Sequence, residues 1–409
     1  MTAKGTRDRD RGLLTLMAGM TAIFAFNVWE HMPLIVPNHY TDVASVFWRD
    51  GIGRGPHLLP YRDFTFEYPV LVGILVWICS YLGRSAGDFP IAMNYYVFAM
   101  DAFLYAFTAG ALIALYRLCE LAGVGEERIW KAFLIMPSFL MFPVYNWDMI
   151  AICFALWAIY FLLVGRPRLS AISLGLGMAG KLYPAVLLPA LALEEGSWGR
   201  RARYAALALA AFLVPNLPFM AMNFNGWMST WTYHYEWGIE DSWLIYLFHQ
   251  FDKNAKYASL AVVAYLVYKG LIETAKRPYP SRAARVIERS FLLASAWLLG
   301  SYVVTPQMAL FLLPFFALMP HLPLPVAYLG DVLNALIIAF WFTLQGWKID
   351  PLAPTSITQA FSLLRQAVWF SLFLYALFPD RFRSAFGGLF ERIRFEPIGG
   401  PARARPPQG

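Results

Sequence analysis

Apolar runs of about 20 residues recur along the whole chain, and no other feature constrains its fold as strongly. Each run can cross roughly 30 Å of hydrocarbon at about 1.5 Å per residue. Lipid offers no water to backbone N–H and C=O groups, so a spanning segment must be a helix or part of a closed barrel. The runs are continuous rather than alternating, which excludes the barrel. A large soluble core is excluded by composition, because only 14% of residues are charged, against about 25% in soluble domains. The expected fold is all-α, a polytopic membrane bundle of about ten transmembrane helices.

Charge sets the expected orientation. The net charge of +7 resides mostly in short basic loops, which belong on the cytoplasmic side, so the basicity calls for no nucleic acid. The expected layout has cytoplasmic tails at 1–12 (basic) and 381–409 (rich in Arg and Pro), with one transmembrane domain over 13–380. A first span over 13–35 leads to a long extracytoplasmic loop, 36–92. Within that loop 69–82 reads as a short interfacial helix, since a crossing there would turn Arg117, Arg128 and Lys131 outward. Further spans are expected at 93–117, 131–145, 148–164, 204–222, 257–275, 290–304, 308–321, 324–345 and 357–378. Basic segments flank 170–193 on both sides, so this stretch reads as a re-entrant pair of half helices hinged around Lys181. One tilted span is the rival reading. Cys79, Cys119 and Cys153 lack metal-ligand spacing and imply neither a disulfide framework nor a metal site.

On this topology the unusual polar residues collect on the outer side: Asp42, Asp50, Asp63 and Glu67, then Asn146 and Asp148, then His234, Glu240, Asp241 and Gln307. Singly, each has a plainer explanation as a solvated acid, a helix cap or a helix start. The Trp and Tyr residues of 223–243 equally suit an interfacial belt. Jointly, the polar residues point to a cleft embedded in the membrane. Asp101, Arg365 and Lys181 lie within apolar segments, where ionisable groups are functional candidates by default. A structural pair of Asp101 with Lys181 or Arg365 is the alternative. Asp331 and Asn334 read as a helix-helix contact.

HYTD, then after seven intervening residues Asp50, then PYRDFTFEYPVL (60–71), GLGMAGKLYPAVLLP (175–189), YHYEWGIEDSW (233–243) and YVVTPQMALFLLPFF (302–316) resemble, in order, the blocks of glycosyltransferase family 87. That family has the GT-C membrane fold and includes polyprenyl-phosphate-mannose-dependent mannosyltransferases. Where many relatives have Tyr-Pro-Pro this chain has Tyr68-Pro69-Val70, and where they have Arg-Gly it has Trp237-Gly238. The resemblance implies a cell-membrane enzyme with an extracytoplasmic active site. It would transfer a hexose, mannose by family precedent, from a polyprenyl phosphate to a hydroxyl of a glycolipid or envelope glycan. By motif position Asp42 is the general base. Lys181, His234, Gln307 and Arg62 are candidates for the donor phosphate. Asp50, Asp63, Glu67, Tyr68, Tyr233, Glu240, Asn146 and Asp148 are candidates for the sugar or the acceptor. The lipid-linked sugar phosphate is a co-substrate, and no cofactor or divalent metal is required. Two other readings remain at this point: a lipid or sugar transporter, which would carry inverted repeats not found here, and a non-catalytic subunit of a glycan-assembly complex.

Overall fold

The computed structural model describes residues 3–36, 40–50, 52–53, 58–85 and 87–379, so the expected tail 381–409 lies outside the described residues. Their regular structure is helical, with two isolated bridges, Pro60–Phe64 and Glu240–Val303, and no strand among the described residues. Twelve helices of eight residues or more carry the fold. In chain order they are α1 (Ala3–His31), α2 (Asp42–Arg49), α3 (Val70–Arg84), α4 (Phe89–Ala122), α5 (Asp148–Leu163), α6 (Pro167–Gly180), α7 (Trp198–Met222), α8 (Phe224–Glu236), α9 (Lys253–Lys276), α10 (Arg282–Gly300), α11 (Leu324–Gly346) and α12 (Ile357–Leu377). Because α1 starts at Ala3, most of the expected tail over 1–12 is its first turns.

Among the described residues six helices, against the ten spans expected, are long and apolar enough to cross a membrane: α1 from Arg11, α4, α7, α9, α11 and α12. The expected span 131–145 is broken into a π-helical turn at Trp130–Leu134 and a short helix at Pro137–Met141. The expected span 308–321 is likewise a 3-10 turn, Pro306–Phe311, followed by Leu313–Leu318. Proline at the start of each second piece removes a ladder donor and ends the preceding turn. The second stretch is enclosed by protein, with Leu313, Phe315 and Phe316 all buried. The 16-residue α5 is similarly buried on successive positions from Asp148 to Ile152, the pattern of a helix at the centre of a bundle. The aromatic segment expected as a loop over 223–243 is helical over α8.

Contacts between helices give the direction of each. The Ser170 hydroxyl donates to the Ala158 carbonyl (2.7 Å) and the Ser173 hydroxyl to the Phe154 carbonyl (2.8 Å), so α6 runs antiparallel to α5. Ser170 also meets the Tyr204 hydroxyl at 2.7 Å, and Gly175 lies against Ala208 and Ala211, so α6 and α7 run parallel. Two parallel helices start from one end of the bundle, so the chain between them must come back to that end. It does so through the break at Lys181, a 3-10 turn at Tyr183–Leu187 and a helix at Leu188–Ala192. This is the re-entrant pair, and a single tilted span is ruled out. The α3 helix packs antiparallel to the start of α4, with Gly83 against Ala92 and Tyr96. At 15 residues, or about 22 Å, it lies along less than half of the 34-residue α4.

Gly175 lets α6 approach α7 this closely, because a Cβ there would run into the Ala208 carbonyl oxygen. Gly175→Ala is expected to destabilise the protein by about 1–3 kcal/mol, the usual cost of overpacking. Gly199→Ala on α7, where a Cβ meets nothing within 4 Å, is the control. Thermal unfolding in detergent compares the two.

Candidate active site

A cleft of about 680 Å³ with mostly apolar walls opens where the first loop, the 145–148 turn, the α6 break, α8 and the 301–308 segment meet. Its polar corner is built on α2. Thr41 is the N-cap, its hydroxyl accepting from the Ala44 amide at 3.0 Å, which fixes Asp42 as the first helical residue. The buried Phe47 stacks on Tyr96 of α4 at 4.7 Å between centroids, and the Asp42 amide donates to the Tyr145 carbonyl at 3.0 Å. The helix is thus fastened at both ends, with the Asp42 carboxylate directed into the cleft.

Both oxygens of that carboxylate are hydrogen-bonded. Tyr40 donates its hydroxyl to Oδ1 at 2.8 Å, and the Asn146 amide donates to Oδ2. Asn146 also donates to the Tyr68 hydroxyl at 3.3 Å, while its own Oδ1 accepts from the Trp147 amide, so the orientation of its amide is determined. Burial raises the pKa of Asp42. The Tyr40 hydroxyl, the Lys181 charge and the Asn146 amide oppose that rise, and Glu67 adds to it.

Lys181 ends α6 in extended conformation and forms an ion pair of 2.9 Å with Asp148, the first residue of α5. Both are buried, and the ammonium also lies 5.7 Å from the centre of the Tyr68 ring. The expected pairing of Asp101 with Lys181 or Arg365 is therefore not formed. Asp101 is buried with neither carboxylate oxygen hydrogen-bonded among the described residues. The fully buried Arg365 clamps backbone instead, donating to the carbonyls of Asp241 (2.6 Å) and Val304 (3.0 Å) and to Asn334 (2.7 Å). Asn334 in turn donates to the Pro306 carbonyl at 2.8 Å, which holds Gln307 at the cleft wall. Asp331 accepts from the Ser138 amide at 2.9 Å, the helix contact expected of it.

On the α8 side, His234 Nδ1 lies 2.8 Å from the Thr230 carbonyl. A carbonyl only accepts, so Nδ1 carries the proton and Nε2 is left as the acceptor of a residue that lines the cleft. Burial among its neighbours lowers the His234 pKa, so near neutral pH Nε2 is an acceptor and offers no proton to a phosphate. Glu240 accepts from the Trp237 indole at 2.8 Å, so the residue standing in place of the relatives' arginine holds a carboxyl group. Burial and the neighbouring Asp241 charge push the Glu240 pKa upward, which favours a protonated carboxyl that can donate a hydrogen bond.

Of the candidates read from the sequence, Asp42, Glu67, Tyr68, Asn146, Lys181, Tyr233, His234, Glu240 and Gln307 line the cleft. Asp148 and Asp50 sit behind the lining as partners of Lys181 and Arg49. Arg62 and Asp63 fall outside it: they pair with each other at 2.7 Å, and Asp63 also accepts from the Leu59 amide. A phosphate role for Arg62 and a sugar role for Asp63 do not fit this geometry. Arg49, Tyr40 and Trp341 line the cleft and were not among the candidates. Arg49 follows Asp42 by seven residues, which on a helix returns to the same face after two turns, but no helix is expected there from the sequence. Among the described residues no three His, Cys, Asp or Glu side chains group as a metal site.

The profile of glycosyltransferase family 87 matches residues 64–299, more than half of the chain. No curated protein matches it.

Proposed function

This chain belongs to glycosyltransferase family 87 and is a membrane glycosyltransferase; from that premise we propose that it moves mannose from a polyprenyl phosphate to a hydroxyl of a glycolipid or envelope glycan, with inversion and with Asp42 as the general base. The observation that carries this reading is the Asp42 carboxylate itself. It is oriented from two sides by Tyr40 and Asn146, reaches a mostly apolar cleft, and has its pKa raised toward the range in which a base accepts protons well.

The acceptor oxygen forms its bond to the anomeric carbon as its proton passes to Asp42. The bond from that carbon to the phosphate oxygen breaks, and the electron pair leaves on the polyprenyl phosphate. A phosphate is already a good leaving group, so no acid is needed on that side. The apolar walls suit a lipid-linked substrate. The concentration of basic residues in the short loops away from Asp42 supports an extracytoplasmic site.

Membranes containing the protein, incubated with polyprenyl-phosphate mannose labelled in the sugar, are expected to pass label to a lipid or glycan acceptor. Transfer only from a differently glycosylated polyprenyl phosphate would overturn the assignment of mannose. Because the base must be ionised, activity is lost as pH falls through the raised Asp42 pKa. The acid limb of the pH-rate profile is therefore expected above the ordinary aspartate value of about 3.9.

A further inference from the structure

In this reaction the leaving phosphate gains negative charge as its bond to the sugar breaks, so a cation beside it would lower the barrier. Most of the cations near the cleft are committed elsewhere. Lys181 is paired with Asp148, and its charge acts on Asp42, which puts it on the side of the base. Arg365 is fully buried against backbone carbonyls. Arg49 is also paired, with Asp50 and Glu67, but it is far less buried than Lys181 or Arg365. It lines the cleft with its side chain 39% exposed. Nε and Nη2 donate to Asp50 (2.8 and 3.3 Å), and Nη2 also donates to Glu67 (2.9 Å). Nη1 makes no hydrogen bond among the described residues and is available to a ligand.

Its position also fits. Inversion requires the leaving oxygen to lie across the anomeric carbon from the base. In inverting glycosidases the two carboxyl groups flanking the reacting bond stand about 6.5–9.5 Å apart, and a phosphate on the leaving side lengthens that span. Arg49 follows Asp42 by two turns on one face of α2, a displacement of about 10.5 Å along the helix axis. One rigid element thus carries a base and a cation at a separation suited to in-line displacement.

Resting on the function proposed above, we infer that Arg49 binds the phosphate of the lipid-linked donor, with Asp50 and Glu67 as the counterions that hold the guanidinium in place. The phosphodiester carries one negative charge, and the polyprenyl phosphate left after transfer carries up to two. The contact therefore strengthens as the bond breaks. Guanidinium remains charged at any working pH and offers planar N–H groups to phosphate oxygens.

The test compares binding of polyprenyl phosphate with binding of the uncharged polyprenol of equal length, using purified protein in nanodiscs and tryptophan fluorescence as the readout. Wild-type protein is expected to prefer the phosphate, and Arg49→Gln to lose that preference by tenfold or more. Glu67→Gln removes one negative charge but keeps a side-chain oxygen that accepts from Nη2, so the guanidinium stays in place and the preference for phosphate is expected to equal or exceed that of wild type. If Arg49→Gln retains the wild-type preference, Arg49 is not the phosphate cation. If Glu67→Gln loses the preference as fully as Arg49→Gln, Arg49 acts by holding the loop and the inference fails. Absence of any preference in wild type overturns the polyprenyl-phosphate reading itself, an outcome distinct from the other two.

Discussion

Asp42→Asn is expected to leave a folded, membrane-inserted protein whose transfer rate is lower by about 10²–10⁴-fold, the usual contribution of a general base. The amide can keep both hydrogen bonds: its oxygen turned to the Asn146 amide and its nitrogen donating to the Tyr40 hydroxyl, which then rotates to accept. Linkage gives an independent sign. The folded-state pKa of Asp42 is raised, so the folded state binds the proton more tightly than the unfolded chain. The stabilisation from that proton is present at low pH and is lost as pH rises through the folded pKa. At neutral pH the ionised carboxylate therefore costs stability, and the neutral amide removes that cost. Thermal unfolding of Asp42→Asn should occur at or above the wild-type temperature. Wild-type transfer rates in a stable Asp42→Asn protein would rule Asp42 out as the base.

Lys181→Met is expected to be the most destabilising change at the site, by about 3–5 kcal/mol, because it leaves Asp148 as an uncompensated buried charge. Asp148 is poorly placed to bear that loss: its Oδ1 is buried without a hydrogen-bond partner, and Oδ2 is the atom bonded to Lys181 at 2.9 Å. The double variant Lys181→Met with Asp148→Leu removes both charges and should recover much of the lost stability, since apolar replacement of a buried pair is often neutral. Melting temperatures of the two single variants and the double variant form the cycle. If the double variant melts no higher than Lys181→Met, the pair is not the unit that holds the α6 break against α5.

The fold class and the hinge at Lys181 were both legible in the sequence. Lipid leaves helices as the only solution for continuous apolar runs, and the basic segments on either side of 170–193 required a chain that turns back. The span count was not legible. Residues 131–145 and 308–321 are as apolar as a crossing helix, and composition alone does not distinguish a segment facing lipid from one enclosed by protein. The cleft followed the same division. Its residues were found where several motifs pointed to one face, as with Asp42, Glu67 and Asn146. Arg62 and Arg49 could not be ranked from sequence, because each is followed immediately by an aspartate. Only the direction of each side chain separates a surface pair from a cleft cation.

The sequence by itself therefore determined what is satisfied locally: helices in an apolar solvent, and polar residues collected on one side of the bundle. The tertiary structure alone decided what depends on distant partners. Asn146 orients Asp42 across 104 residues, Asp148 holds Lys181 across 33, and Arg365 binds the Asp241 carbonyl across 124. The physical reason is the range of the interactions. Backbone hydrogen bonds in lipid close within each segment, so the segment's composition specifies them. The charge state and aim of a buried side chain depend on which neighbours the packing brings to within about 3 Å.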